Sequence, residues 1–332
     1  MRQKRNIGQM SLDLFESPGE SDFIVNAAPE PDTPPNTEGD DAGELSIHRG
    51  DMPADPLVYI SFGSGSSGNS CYIGTRRAGI LVDGGVRPEF ISAAMKENAL
   101  PEDAVKAVIV THDHSDHVRY IYKILRQLRG ARLFCTNRVM QGMLRRHNIS
   151  RFIRDYHQPI FKEIPFKVAE FEITAFEVPH DGTDNMGFII SREGRNFVVA
   201  TDLGAVEERA GHYIGLADYL MIEANYDSDM LANGPYPQYL KARIRTRNGH
   251  LDNRDTAACV ARTASSRRLS HVFLCHLSKD NNTPSHALTA VRTALLEAGL
   301  SVGDGTESIE DRAADIHLTV LPRFDATRLF IL

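Results

Sequence analysis

The chain has 332 residues, 42% of them hydrophobic and 24% charged, enough to bury one large α/β core or two ordinary ones. Its longest apolar runs reach about five or six residues where a bilayer span needs roughly 20, and the N-terminal residues lack a signal-peptide apolar region, so a cytoplasmic protein with no membrane contact is expected. The formal charge of −7 is unevenly spread: Met1 to Pro56 carries 12 acidic and 4 basic residues and Leu57 to Leu332 carries 32 and 33, so the overall acidity says little against a polyanionic ligand for the body.

In chain order, residues 17 to 56, centred on PEPDTPPNTEGDDAGE, are rich in Pro, Gly and acid and poor in periodic apolar positions. Such a composition buries too little surface to offset ordering entropy, so residues 1–56 are expected to be a disordered acidic tail. Gln9 to Phe15, QMSLDLF, is an apolar island within it. From Leu57 onward LVYISF, AGILV, KAVIV, RLFCT, FEITAFEV, MGFIIS, NFVVA, YLMIEA and HVFLC predict strands. PEFISAAMKEN, Asp116 to Leu128, NRVMQGMLRRH, YPQYLKARIRT, RDTAACVARTA and PSHALTAVRTALLEAG predict helices. Two strand-rich halves divided near residue 160 imply stacked sheets with helices outside, a single domain over 57–332. The four cysteines form no CxxC pair and suit reduced core positions.

The chemistry concentrates in HDHSDH, His112 to His117, directly after the apolar run Ala107 to Val110. A polar turn explains Asp and Ser but not three histidines, whereas imidazole and carboxylate together are what borderline divalent cations bind. Asp83 follows GILV, His180 follows FEVP, Asp202 follows FVVAT and His276 follows VFLC, so each stands at the C-terminal end of an apolar strand. Ligand sites of α/β proteins form at such ends, so the residues are expected to converge.

HDHSDH resembles the HxHxDH signature of the metallo-β-lactamase fold, an α/β sandwich of αββα layers. GSGSSGNS from Gly63, ILVDGG, VPHDGTDNMGF, ATDLG, EANYD, GPYPQYLKARI, GHLDN and HLSKDNNTP are similar to one branch, the YycJ (WalJ) nucleases, over about Leu57 to Leu300. Tyr226 and Asp252 stand where His and Ser are expected in many relatives. The resemblance implies one metal site at His112, His114 and His180, a second at Asp116, His117 and His276, and Asp202 bridging two Zn²⁺ or Mn²⁺ ions. Asp83 would orient a ligand histidine. In the implied reaction a water activated between the cations attacks phosphorus in line, Asp116 positions or deprotonates it, and His250 assists departure of the 3′ oxygen.

Positive charge near the site comes from Lys241, Arg243, Arg245 and Arg247, which either meet a phosphate backbone or form a solvated helix end; Arg126, Arg129, Arg132, Arg145 and Arg146 add more. The Gly63 loop with Asn69 either cradles a phosphate or is a tight inter-strand turn. The implied activity is a metal-dependent DNA phosphodiesterase, a 5′ to 3′ exonuclease of replication or repair. A thioester or lactone hydrolase would use the metals without His250, and a tethering module would keep them as structure. Gln9, Leu12, Leu14 and Phe15 look like the peptide with which bacterial polymerases and repair proteins dock on the replication sliding clamp, a partner expected alongside DNA.

Overall fold

A computed structural model describes residues 55–303, 311 and 313–332; the expected tail, save its last two residues, and the Gln9 to Phe15 segment lie outside the described residues. The strands are β1 (Val58–Gly63), β2 (Ser70–Gly74), β3 (Gly79–Val82), β4 (Val105–Ile109), β5 (Arg132–Cys135), β6 (His157–Pro159), β7 (Phe166–Val168), β8 (Phe171–Glu177), β9 (Met186–Arg192), β10 (Arg195–Ala200), β11 (Tyr219–Glu223), β12 (His271–Cys275), β13 (Val302–Gly303), β14 (Ile316–Val320) and β15 (Phe330–Ile331). The helices are α1 (Pro88–Glu97), α2 (Ser115–Val118), α3 (Ile121–Gln127), α4 (Asn137–Arg146), α5 (Glu208–Ile214), α6 (Ser228–Asn233), α7 (Gln238–Ile244), α8 (Asn253–Ala264) and α9 (Pro284–Glu297).

Two mixed sheets result, in the orders β15-β1-β2-β3-β4-β5-β6 and β13-β14-β12-β11-β10-β9-β8-β7. The chain leaves the first sheet at Pro159 and enters the second at Phe166, the division expected near residue 160. Of the later strands, β15 alone returns to the first sheet, pairing Ile331 with Val58. In each sheet one side is parallel: β3 through β6 in the first, and β10, β11, β12, β14 and β13 in the second. Parallel strands share a C-terminal edge, so Val82, Ile109, Ala200, Glu223 and Cys275 deliver their following residues to the edges where the site forms.

The inner faces of the sheets meet through Tyr59 of β1, whose ring lies 5.1 Å from that of Phe197 on β10 and 4.4 Å from that of Phe273 on β12. Ile91, Met95, Ile124 and Val139 cover the first sheet from α1, α3 and α4, while Val260, Val291 and Leu295 cover the second from α8 and α9. The α/β sandwich of αββα layers is therefore the one expected. All four cysteines are free and buried, as expected.

The helix expected from Asp116 to Leu128 is instead two, α2 and α3, with an intervening break. Tyr120 N donates to Gly84 O at 2.9 Å, and Asp116 O accepts from Asn69 N at 2.8 Å. The helical bond between Tyr120 and Asp116 is thus replaced by two bonds to neighbouring loops, which pin the histidine segment to β2 and β3. Gly85 permits this contact, since a Cβ there would sit 1.5 Å from Asp116 O.

Candidate metal centre

Asp83, Asp202 and His276 directly follow β3, the β10 segment and β12, and all three have left-handed backbones, with φ of 60°, 51° and 53°. Such conformations cost about 1–3 kcal/mol each and persist where surroundings over-determine them. The surroundings do so here. Asp83 accepts from Thr111 N and Oγ1, both at 2.8 Å, and His276 N donates to Ser64 Oγ at 2.9 Å.

Two donor groups converge. In the first, His114 Nδ1 lies 3.0 Å from His112 Nε2 and 3.3 Å from His180 Nε2. In the second, Asp116 Oδ2 lies 3.5 Å from both His117 Nε2 and His276 Nε2. Asp202 stands between them, its Oδ2 3.3 Å from His117 Nε2 and its Oδ1 3.8 Å from His180 Nε2. His250 joins Asp202, Glu223 and His276 in a further cluster at the same place.

Burial makes His112 and His180 hard to protonate and brings His114 down to about 4. Burial also opposes charge on His117 and His276, yet Asp202 and its neighbouring carboxylates outweigh it, raising His117 well above its ordinary value and His276 to about 10. The first group therefore offers neutral lone pairs, and the second is an acidic nest that holds positive charge.

This arrangement fits a pair of divalent cations. The buried Nε2 of His276 has no hydrogen-bond partner, and the three imidazole nitrogens of the first group point at one another, where neutral rings cannot all donate and accept. A cation would satisfy each.

The orientation of the donors is set from behind. His117 Nδ1 lies 2.8 Å from Asp83 Oδ2, and His180 Nδ1 lies 2.9 Å from Gly249 O. Glu223 is the residue that sequence reasoning missed. Fully buried at the end of β11, its Oε1 is 2.7 Å from His250 Nδ1 and 2.9 Å from His276 Nδ1, and its Oε2 accepts from Leu203 N and Leu251 N at 3.0 and 3.2 Å. Burial disfavours its charge, but His250 and His276 hold its carboxyl below the ordinary range. The available signal was the rule already applied to Asp202, an acid ending an apolar strand.

Residues 79–276 match the family model described as a beta-lactamase superfamily domain. The chain belongs to the beta-lactamase superfamily. It is 34% identical over 247 residues to "Exodeoxyribonuclease WalJ" of Streptococcus pneumoniae, covering 74% of this chain and 90% of that protein. It is 32% identical over 252 residues to "Exodeoxyribonuclease YycJ" of Bacillus anthracis, covering 76% and 94%. Among solved structures, the metallo-beta-lactamase fold protein YhfI from Bacillus subtilis superposes with a TM-score of 0.56 at 13% identity, covering 82% of this chain and 99% of that one, a likeness of fold.

On this beta-lactamase scaffold the expected phosphate contacts divide. Lys241 is not one of them: it is buried and its Nζ donates to Ala232 O at 2.8 Å. Arg247 forms an exposed ion pair with Glu207, and Arg245 is exposed on the same turn. Arg243 does reach the centre, through Asp181. Its Nε lies 2.8 Å from Asp181 Oδ2, while Asp181 Oδ1 lies 3.4 Å from His114 Nε2. Asn69 closes the β1–β2 turn, accepting from Gly65 N at 2.8 Å, and its Nδ2 lies 3.1 Å from Asp116 Oδ2. The glycine-serine loop is thus a tight turn that positions Asp116.

The two departures from the nuclease pattern lie together, outside the donor groups. Asp252 caps α8 by accepting from Arg254 N at 2.6 Å and takes the Ser228 hydroxyl, and Tyr226 bridges to it through the backbone. Among the described residues no helix is long and apolar enough to cross a membrane.

Proposed function

We propose that the protein is a metal-dependent phosphodiesterase acting on DNA, an exonuclease running 5′ to 3′ in replication or repair. The observation that carries this reading is the Glu223–His250 pair beside the donor groups. The 3′ oxygen of a phosphodiester leaves as an alkoxide and profits from a fixed proton donor, whereas the thiolate of a thioester departs readily without one. The curated relatives named exodeoxyribonucleases support it.

His112, His114 and His180 would hold one cation, Asp116, His117 and His276 the other, with Asp202 shared. Two Zn²⁺ or Mn²⁺ ions would neutralise charge on the phosphoryl oxygens and acidify a water. Asp116 orients that water through its free lone pairs. His250, its Nδ1 hydrogen held against Glu223, turns Nε2 toward the leaving 3′ oxygen and delivers a proton there. Asp83 and Gly249 O keep two imidazoles in the tautomer with Nε2 free.

End-labelled single- and double-stranded DNA and RNA, incubated with Mn²⁺ or Zn²⁺, should yield mononucleotides from the 5′ end of DNA, and EDTA should stop the reaction. Efficient hydrolysis of a thioester with none of DNA would overturn the proposal.

The proposal extends to the clamp. Gln9 offers an amide and Leu12, Leu14 and Phe15 a small apolar cluster, what a short peptide needs to enter a pocket on a larger partner. The Pro-rich acidic stretch that follows would give it reach. A synthetic peptide of residues 5–18 should bind clamp with a Kd of about 1–100 μM, the modest strength of a segment that orders on binding. Equal binding by a version with Gln9, Leu14 and Phe15 replaced by Ala would remove the partnership.

A further inference from the structure

Between His117 and Arg154 the chain carries ten Arg and Lys and no Asp or Glu. The near-neutral body conceals this: residues 117–154 have a formal charge of +10 and the rest of 57–332 a charge of −9. All ten cations are exposed, and among the described residues only Arg146 has a carboxylate within ion-pair distance, Asp113 at 3.6 Å. Solvated surface segments of ordinary domains mix both signs, and this stretch does not.

The stretch forms α2, α3, β5, α4 and a 3₁₀ turn, Arg151–Tyr156, so its cations gather on the outer layer of the first sheet. The turn packs on α3, with Tyr122 and Tyr156 rings 6.4 Å apart. This layer abuts the metal centre directly. His147 Nε2, next to the last turn of α4, lies 2.6 Å from the carbonyl of Asp113, the residue between His112 and His114. Gly142 makes room for the Asp113 carboxylate, which a Cβ would meet at 2.0 Å.

Beside these cations an aromatic ring stands in solvent. Phe152 is 57% exposed, lies under the Arg151 guanidinium at 5.7 Å, and with Leu144, Ile149, Arg154 and the exposed Asp155 lines an open groove in which the two arginines outnumber the one acid. Phe152 joins Leu144 and Ile149 in one apolar patch rather than standing alone, and an aromatic flanked by arginines that have no carboxylate partner matches a base flanked by its phosphates. A duplex hides its base faces; an unpaired strand shows them.

We propose that this strongly basic face, with Phe152 as a stacking platform, is the track on which single-stranded DNA lies as its end enters the metal centre. The inference rests on the nuclease reading of that centre and adds the strand's path. Arginines 145, 151 and 154 neutralise backbone phosphates, and Phe152 stacks one base.

The test is binding of the full-length protein to a fluorescent single-stranded 20-mer in EDTA, across a salt series, with melting temperature as a check on folding. Arg145→Glu, Arg151→Glu and Arg154→Glu together should weaken binding at least tenfold and flatten the salt dependence by about 2 in slope, since each single-strand phosphate contributes about 0.7. Phe152→Ala should cost about 5- to 150-fold, the range of one lost base stack, and Phe152→Tyr should restore binding. Unchanged affinity and slope in the charge variant would overturn the inference, as would equal losses for blunt duplex and single strand on Phe152→Ala. Competition by poly-glutamate as strong as that by DNA would also overturn it, in favour of an acidic protein partner. Absence of cleavage by wild type under any cation defeats the nuclease reading instead, and the binding series still decides the face.

Discussion

Asp202→Asn is expected to lose hydrolysis and metal together. The carboxylate faces both donor groups, 3.3 Å from His117 Nε2 and 3.8 Å from His180 Nε2, so its negative charge would serve a cation held in either. Burial opposes its ionisation, yet His276 and His117 hold it well below the ordinary carboxylate range, so the site is built around a charged Asp202. Asn has the same shape and tolerates the left-handed backbone at φ 51°, which Ala does not, so a folded but inactive protein separates loss of charge from loss of structure. Metal analysis should fall from about two cations per chain to one or fewer, the two-metal arrangement having lost its shared ligand. Full metal content with normal turnover in a folded Asp202→Asn protein would end the dimetal assignment.

His250→Ala is expected to behave differently, keeping both cations while turnover on DNA falls by about 10² to 10⁴, the range for a lost acid-base group. Its ring is 5.0 Å from that of His180 and 5.3 Å from that of His276, beside both donor groups, and its side chain remains 20% exposed, open to a substrate. Glu223→Gln makes the contrast. Its Oε1 faces His250 and His276 and its Oε2 faces two backbone amides, so an amide nitrogen in either position meets a donor. Turnover and metal content should therefore both fall in Glu223→Gln, where His250→Ala affects turnover. Unchanged DNA cleavage in His250→Ala would favour the small-molecule hydrolase.

Much of the centre was legible because its strands are central and parallel. Such strands are buried on both faces and read as unbroken apolar runs, so the polar residue ending each run stood out: Asp83, His112, Asp202 and His276. What escaped is explained by the same physics. β2, SCYIG, is fully buried but mixes small and polar residues, and β6, HQP, is too short to show a period. Glu223 passed as the solvated end of YLMIEA, since a sequence does not reveal that two histidines and two amides await a buried carboxylate. Lys241 was misplaced because α7 buries its stem and ties its ammonium to a carbonyl, a contact set by tertiary packing. The break at Arg119 and Tyr120 was hidden because helix propensity there is satisfactory and the competing bonds come from Gly84 and Asn69.

The sheet borders bear on how the protein behaves in concentrated solution. Among the described residues, each sheet ends in strands of two or three residues, β15 and β6 on one and β13 and β7 on the other. Unpaired backbone along a long exposed border is a template on which another chain can add, and such growth leads to fibrils. Edge strands this short offer few free hydrogen-bonding groups of their own, and Pro159 removes a donor from β6. Among the described residues the edge strands themselves thus give another chain little backbone on which to add a strand.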